Sequence, residues 1–278
     1  MITLNKSLKN TTLELTSIVT NPSLDSILIH ELVLKKTRVF ILTNSEYLLD
    51  SEEILGITKL VAERKLHKPM AYILQNKEFY GRDFFVNQNV LIPRPETEEL
   101  IEWVLKNELS HESYQVLDLC AGSGCIGITL QLENPNWDLT LAEISEPAIE
   151  VAKMNWKKFI NKEPKIIKTD LFNEIENIKF DCIVSNPPYI TKQEKIDMSQ
   201  EVLNHEPELA LFVDDWIEFH TKLLKEAKEH LNTKGILYLE TNPMFIEELE
   251  KISVDLKYSE FQMKKDYSNK QRFARLSK

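Results

Sequence analysis

The sequence contains little cysteine and no long hydrophobic run. Its three cysteines, Cys120, Cys125 and Cys182, form no C-x-x-C pair, and its six histidines show no metal-ligand spacing. This argues against a disulfide framework or a structural zinc site, so we expect no metal and a cytoplasmic location. No stretch approaches the roughly 20 apolar residues that span a bilayer. The first residues lack a basic region followed by an apolar run, so we expect no signal peptide.

Basic residues are also in deficit. There are 34 Lys and Arg against 44 Asp and Glu, which gives a formal charge of -10. Duplex nucleic acid is usually held by an excess of positive charge, so we expect neither nucleic acid nor a membrane as a direct partner. Apolar residues make up 42% of the chain and charged residues 28%, as in ordinary globular domains. The 278 residues allow one large domain or two modest ones.

Apolar residues recur at helical spacing in the first part of the chain. One such run follows Asn21-Pro22-Ser23. Another follows Asp50-Ser51-Glu52-Glu53, a pattern typical of an N-cap with an acidic first turn. We therefore predict a small helical domain over residues 1–76.

The pattern changes to β-forming residues between positions 77 and 93. Phe84-Phe85-Val86 and Val90-Leu91-Ile92 are flanked by predicted turns at Gly81-Arg82-Asp83 and Asn87-Gln88-Asn89. This favours a β-hairpin linker over residues 77–93. Arg94-Pro95-Glu96-Thr97-Glu98 then predicts the start of a helix, because proline is favoured in a first helical turn.

Short apolar strands alternate with helices over residues 94–278. Strands are predicted at 116–119, 139–142, 165–168, 181–185 and 235–240, with a last pair at 261–264 and 272–276. Helices are predicted at 126–132, 146–159 and 218–231. Regular alternation of strand and helix predicts an α/β fold in which helices cover both faces of a parallel sheet.

A glycine-rich loop follows the first of these strands. Gly122, Gly124 and Gly127 satisfy G-x-G-x-x-G, and Glu143 ends the next strand about 20 residues later, which is the dinucleotide-binding pattern. Asp118 at the strand tip extends the pattern to D-x-x-x-G-x-G, which resembles motif one of the S-adenosylmethionine (SAM) dependent methyltransferases. The loop therefore leaves NAD and SAM both open. Asp170, after the third strand, is either a contact for an adenine amine or a capping residue.

The most informative motif is Asn186-Pro187-Pro188-Tyr189, at the carboxyl end of the fourth strand, where open α/β sheets bind ligands. The prolines make a rigid turn without N–H donors, so its carbonyls are free acceptors. The Asn186 side-chain oxygen is a second acceptor, and Tyr189 offers a flat face. Two acceptors suit an –NH2 group on a planar amide or heteroaromatic ring. NAD chemistry gives this motif no role, so SAM is favoured.

Two further stretches complete a resemblance to a known family. They are Phe79-Tyr80-Gly81-Arg82-Asp83-Phe84-Phe85-Val86 and Leu91-Ile92-Pro93-Arg94-Pro95-Glu96-Thr97-Glu98. With the glycine loop and Asn-Pro-Pro-Tyr, the chain resembles the release-factor glutamine methyltransferases (the PrmC/HemK family), which are class I SAM-dependent enzymes. The resemblance implies a Rossmann-like, seven-stranded, mostly parallel sheet over residues 94–278. It also implies that the domain at 1–76 recognises the substrate.

The resemblance further implies roles for particular residues. The cofactor SAM, which leaves as S-adenosylhomocysteine, would be bound by residues of the glycine loop and of later strand ends. These are Asp118, Cys120, Ala121, Gly122, Ser123, Gly124, Glu143, Asp170, Leu171 and Asn186. Asn186, Pro187, Pro188 and Tyr189 would hold the substrate glutamine, with Asn186, Pro187 and Tyr189 assigned to catalysis. That glutamine belongs to the Gly-Gly-Gln loop of class 1 peptide chain release factors, the expected partners.

Other functions remain open beside this one. An adenine-amine methyltransferase acting on DNA or RNA would use the same acceptors on a flipped base. A non-catalytic scaffold that binds ribosomal partners through its helical domain would not need Asn186. The segment 191–208 after the motif is either a mobile lid or a surface loop.

Overall fold

The structure is a computed structural model that describes residues 1–108 and 113–278. These residues divide into two compact units. The first comprises Met1–Asn76 together with Ser199–His205, and the second comprises Lys77–Met198 together with Glu206–Lys278.

The described residues form helices and strands with the following bounds. The helices are α1 (Leu4–Leu15), α2 (Pro22–Leu34), α3 (Arg38–Thr43), α4 (Ser51–Lys65), α5 (Met70–Leu74), α6 (Pro95–Glu108), α7 (Cys125–Glu133), α8 (Glu146–Phe159), α9 (Gln200–His205), α10 (Trp216–His230) and α11 (Ile246–Asp255). The strands are β1 (Ile2–Thr3), β2 (Leu48–Leu49), β3 (Lys77–Phe79), β4 (Arg82–Phe84), β5 (Gln115–Leu119), β6 (Asp138–Glu143), β7 (Lys165–Lys168), β8 (Phe180–Ser185), β9 (Ile190–Thr191), β10 (Phe212–Val213), β11 (Leu231–Glu240), β12 (Glu260–Lys265) and β13 (Gln271–Ser277). Short 3₁₀ helices occupy Lys192–Asp197, Glu208–Ala210 and Pro243–Phe245.

The first unit is helical, as its apolar spacing predicts. Helix α4 begins with the predicted cap, in which Asp50 and Glu53 form a reciprocal capping box. Arg64 on the same helix is buried and pairs with Asp25 at 2.7 Å and with Glu201 at 2.6 Å. The Glu201 pair joins α9, which is distant in sequence, to this unit.

The hairpin that follows is formed by β3 and β4, which pair antiparallel. Its turn lies at Tyr80 and Gly81, both at positive φ (51° and 70°), which suits a two-residue turn between twisted strands. The turn predicted at 81–83 therefore begins one residue too late and ends two too late, since Arg82 and Asp83 belong to β4. The predicted β-run at Leu91 and Ile92 forms no strand in the described structure, because Pro93 has no N–H for a ladder and the Ile92 N–H donates to Glu206.

The second unit contains a seven-stranded sheet in the order β12-β13-β11-β8-β5-β6-β7. Strand β13 pairs antiparallel with β11 and β12, and the other adjacent pairs are parallel. This confirms the predicted mostly parallel α/β sheet. Alternate residues of its strands enter two apolar clusters: Val116 and Val184 pack in one, Leu117 and Ile183 in the other. The central strands are continuously apolar because both faces of the sheet are covered.

The strand order reverses beside β5, the first strand of the sheet in the sequence. Its neighbours are β6 on one side and β8 on the other. At such a reversal the loops leave the carboxyl ends of the strands in opposite directions, and a crevice opens between them. None of the helices in the described part of the chain has the length and hydrophobicity needed to cross a membrane.

Candidate active site

A cleft opens at the carboxyl ends of β5, β6 and β8. Nine of the residues predicted from the sequence line it: Cys120, Ala121, Gly122, Ser123, Glu143, Asp170, Leu171, Asn186 and Pro188. The remaining four, Asp118, Gly124, Pro187 and Tyr189, are not among the residues that line it. Strands that are far apart in sequence therefore bring the glycine loop and the Asn-Pro-Pro-Tyr turn into one cleft.

Glu143 holds the glycine loop through backbone hydrogen bonds. Its Oε2 accepts from Gly122 N at 2.8 Å and its Oε1 from Ser145 N at 2.9 Å. Gly122 has φ +54°, and a Cβ built on it would meet no protein atom within 4 Å. Each carboxylate oxygen has two lone-pair directions, so Glu143 keeps acceptor capacity for a ligand hydroxyl. The loop thus offers an open backbone and an anchored carboxylate.

Asp118 supports the loop from beneath. It is fully buried, and its Oδ2 accepts from Gly127 N at 2.8 Å. Its Oδ1 is buried and receives no hydrogen bond from the described residues. Burial raises the pKa of Asp118 to about 7, with a smaller contribution from Glu143 and partial opposition from the Gly127 hydrogen bond. A positive charge placed in the cleft would favour the ionised form of this carboxyl.

Two residues of the cleft carry backbone conformations that are unusual for side chains with a Cβ. Cys120 has φ 62° and Leu171 has φ 51°. Positive φ at non-glycine residues costs free energy and tends to occur where a loop is shaped for a ligand. Burial raises the pKa of the Cys120 thiol, so it remains protonated and is not a nucleophile. Asp170, at the other edge, is exposed and lies 3.7 Å from Lys222.

The Asn186 carboxamide is held at one end. Its Nδ2 donates to Thr97 Oγ1 at 3.2 Å. The Oδ1 atom, like the Pro187 carbonyl oxygen, accepts no hydrogen bond from residues 1–108 or 113–278. Behind Asn186, Ser185 Oγ donates to Leu119 O at 2.7 Å and ties β8 to β5. The two acceptors predicted for a substrate –NH2 are therefore both free of the protein's own described donors.

Tyr189 faces the sheet rather than the cleft. Its ring packs against one of the two apolar clusters, and its hydroxyl donates to Glu240 Oε1 at 3.1 Å. Burial, with the Glu240 charge, raises the pKa of Tyr189, so the phenol keeps its proton. Pro187 is buried. The contacts of Tyr189 give it a part in fixing the turn.

Glu206 connects the far wall of the cleft to the start of α6. Its side chain is buried; Oε2 accepts from Ile92 N at 3.1 Å and Oε1 from Arg94 Nη2 at 2.7 Å. Arg94 lines the cleft beside Pro207, Leu209 and Ala210. Part of the predicted lid or loop at 191–208 is thus an ordered wall of the cleft.

Several residues of the site were missed by the sequence analysis. Thr97 and Glu240 are almost fully buried, and Thr97 Oγ1 donates to Glu240 Oε2 at 2.7 Å. Glu240 ends β11, the neighbour of the strand that carries Asn186. Because the carboxyl ends of adjacent parallel strands lie at the same edge of a sheet, the position of Glu240 could have indicated that it lies near Asn186. Phe219 and Arg94 also line the cleft. Arg94 lies in a stretch that carries the family resemblance, whereas Phe219 belongs to no pattern that points to the cleft.

No group of three or more His, Cys, Asp or Glu side chains in the described part of the chain could hold a metal ion.

Comparison with known families gives two matches. Residues 97–211 match the model of the methyltransferase small domain, and residues 6–74 match the PrmC N-terminal domain. Among solved structures, the hMettl16 catalytic domain in complex with the MAT2A 3′UTR hairpin 6 aligns with a TM-score of 0.59 at 16% identity, covering 78% of this chain and 80% of that one. A methyltransferase from Pyrococcus furiosus aligns with a TM-score of 0.54 at 21% identity, covering 74% of this chain and 96% of that one. At these identities the structures show the fold alone.

Curated relatives are closer in sequence. A "Release factor glutamine methyltransferase" from Leptospira interrogans is 42% identical over 250 residues, covering 88% of this chain and 87% of the relative. One of the same name from Flavobacterium psychrophilum is 36% identical, with 84% of each chain covered. A "Bifunctional methyltransferase" from Rickettsia bellii is 37% identical, but the aligned region spans 48% of its length. The chain belongs to the release factor glutamine methyltransferase family.

Proposed function

We propose that the protein methylates the side-chain amide nitrogen of the glutamine in the Gly-Gly-Gln loop of class 1 peptide chain release factors, with SAM as methyl donor. The observation that carries this proposal is the pair of free acceptors, Asn186 Oδ1 and Pro187 O. Asn186 lines the cleft that also contains the glycine loop, and Pro187 follows it directly in the chain. Membership of the family supports it.

The residues of the cleft fit SAM. Gly122 leaves open space where a ligand can approach the backbone, and Glu143 has lone pairs left for ribose hydroxyls. Asp118 has a buried oxygen without a described partner, which suits a nearby positive charge. Asp170 and Leu171 line the opposite side. SAM, when bound, supplies a methyl group on a positively charged sulfur.

The acceptors would hold the substrate amide by its two N–H groups. A primary amide is a poor nucleophile because its lone pair is delocalised into the carbonyl. Hydrogen bonds from both N–H groups to Asn186 Oδ1 and Pro187 O favour a nitrogen that pyramidalises, with its lone pair directed into the cleft. Correct positioning of two reactants is worth up to about 7–11 kcal/mol in favourable cases. The proton that leaves the nitrogen stays hydrogen-bonded to one of these oxygens until solvent accepts it.

Each part of the chain has its own role in this proposal. Residues 1–76 recognise the surface of the release factor, and residues 94–278 bind SAM and the glutamine. Residues 77–93, which include the hairpin, link these two domains in sequence. Nucleic acid and membranes have no direct role, in keeping with the formal charge of -10. We place the reaction in the cytoplasm, since all three cysteines are free thiols and a reducing compartment suits them.

Incubation with methyl-labelled SAM tests the proposal. The acceptors are a release factor, the same factor with Glu in place of the Gly-Gly-Gln glutamine, and DNA or RNA. We expect label in the unaltered factor alone, because a Glu side chain presents acceptors to acceptors. Label that enters nucleic acid instead would favour the adenine-amine function. A protein whose cellular role survives Asn186→Ala would be a scaffold.

A further inference from the structure

We propose that Thr97 and Glu240 act as positioning residues that decide which end of the Asn186 carboxamide faces the substrate. The inference rests on the proposed function. It concerns residues that do not grip the substrate amide themselves, and it explains how the site favours a substrate with two N–H donors.

A directed chain of hydrogen bonds leads to Asn186. Thr97 Oγ1 donates to Glu240 Oε2 at 2.7 Å, and Asn186 Nδ2 donates to Thr97 Oγ1 at 3.2 Å. A threonine hydroxyl has one proton. Once that proton lies on the bond to Glu240, Thr97 can only accept from Asn186. The carboxamide must therefore present Nδ2 to Thr97 and turn Oδ1 to the cleft.

Glu240 fixes the direction because it is held as an acceptor. Its side chain is buried, and its second oxygen accepts from the Tyr189 hydroxyl at 3.1 Å. Both oxygens thus face hydroxyl donors, and the positive charge of Arg272 acts on the same carboxyl. Because the Thr97 hydroxyl receives the Asn186 N–H, its own proton points to Glu240 Oε2, and an oxygen that carries no proton can accept but cannot donate. Burial raises the pKa of Glu240, while the two hydroxyl bonds and Arg272 oppose that rise.

The two ends of the Asn186 carboxamide favour different substrates, because Oδ1 accepts hydrogen bonds and Nδ2 donates them. With Oδ1 in the cleft, Asn186 accepts from a glutamine –NH2. With the amide turned over, Asn186 would present its own N–H groups to that –NH2, and the reacting nitrogen would lose one of its two acceptors. The turned amide would instead suit a carboxylate. Removing the Thr97 hydroxyl leaves both orientations available, so rate and selectivity should fall together.

The test compares Thr97→Val with Thr97→Ser. Valine keeps the shape of threonine but has no hydroxyl, and serine restores the hydroxyl. Thr129→Val is the matched control, since Thr129 is equally buried and its hydroxyl has no partner in the described residues. For each variant we would measure kcat and KM for methylation of the release factor, SAM affinity, and inhibition by the factor that carries Glu at the target position.

We expect Thr97→Val to lower kcat by about fivefold and to tighten inhibition by the Glu factor by about fivefold, since one hydrogen bond contributes roughly 1 kcal/mol. SAM affinity should stay within about twofold, and Thr97→Ser and Thr129→Val should match the unaltered protein. In a double-mutant cycle, Glu240→Met should add little to Thr97→Val, because both break the same chain.

If the unaltered protein transfers no methyl group to the release factor, the proposed function and this inference both fail. If it does, and Thr97→Val retains its rate and its preference for Gln over Glu, the inference alone fails. It also fails if Thr97→Ser does not restore activity, or if SAM affinity falls in step with rate, because Thr97 would then have a merely structural role.

Discussion

Two glycines of the glycine-rich motif, Gly122 in the loop and Gly127 in helix α7, should respond to alanine in different ways. A Cβ on Gly127 would lie 2.4 Å from Leu141 Cδ2, 2.8 Å from Leu139 Cδ2 and 2.9 Å from Asp118 Oδ2. Carbon atoms in contact normally lie about 3.5–4.0 Å apart, so both leucines must move. Overpacking of this kind costs about 1–3 kcal/mol. We therefore expect Gly127→Ala to lower the free energy of unfolding by that amount.

Gly122 differs because a Cβ there meets no protein atom within 4 Å and faces the cleft. Its φ of +54° costs a residue with a side chain about 1–2 kcal/mol, so some stability is lost here too. The added methyl group, however, occupies space that the ligand needs. We expect Gly122→Ala to weaken SAM binding by about tenfold or more, which corresponds to about 1.4 kcal/mol.

Urea denaturation and calorimetric titration with SAM separate the two effects. Gly127→Ala should bind SAM within about threefold of the unaltered protein at a temperature where it is folded. The reasoning is refuted if Gly127→Ala is as stable as the unaltered protein, or if Gly122→Ala binds SAM with undiminished affinity. In the first case the leucines have room that the structure does not show, and in the second the ligand does not approach the loop.

Three other predictions follow from single residues. Burial raises the pKa of Asp118 from 3.8 to about 7, so this carboxyl ionises at lower pH in the unfolded chain than in the folded, ligand-free protein. The free energy of unfolding should therefore fall as pH rises from about 4 to about 7, with no further change from Asp118 above that pH. Asp118→Asn should remove this component, seen as a pH-dependent difference between the two unfolding free energies; a constant difference over that range would contradict it. Asn186→Asp should lower kcat by about a hundredfold or more, because the new carboxylate and Glu240 compete for one Thr97 hydroxyl proton; a collapsed circular dichroism spectrum would instead indicate misfolding. Gln75→Gly should raise stability by about 0.5–1 kcal/mol in thermal melts, since Gln75 caps α5 at φ 52°; a lower melting temperature would argue against strain there.

The strands of the sheet could be predicted because each has a recognisable local sequence pattern. Both faces are covered, so strands such as β5 and β8 read as short apolar runs, and glycine or proline punctuates their ends. Helix α8 was predicted with its observed bounds, Glu146–Phe159. Helix α11 was missed, although Asn242 caps the 3₁₀ turn that leads into it. Strands β9 and β10 are two residues each and depend on pairing with each other, which leaves almost no local signal.

The residues of the candidate site that belong to sequence motifs could be predicted. Those that reach the site only through contacts between distant parts of the chain could not. The glycine loop, Glu143 and Asn186 stand in recognisable patterns, and the structure brings them to one cleft. Glu206 and Thr97 act through contacts with residues more than a hundred and about ninety positions away, respectively. Such contacts form only in the tertiary fold, and they leave no local pattern in the sequence by which they could be recognised.

The central claim is that Asn186 Oδ1 and Pro187 O together accept the two N–H groups of the substrate amide. It is tested most directly by a crystal structure of the protein with S-adenosylhomocysteine and a release factor that carries the glutamine. We expect each oxygen to lie about 3 Å from the amide nitrogen, with that nitrogen facing the sulfur. A complex in which either oxygen is bonded to the protein's own donors, or is turned away from the glutamine, would contradict the account.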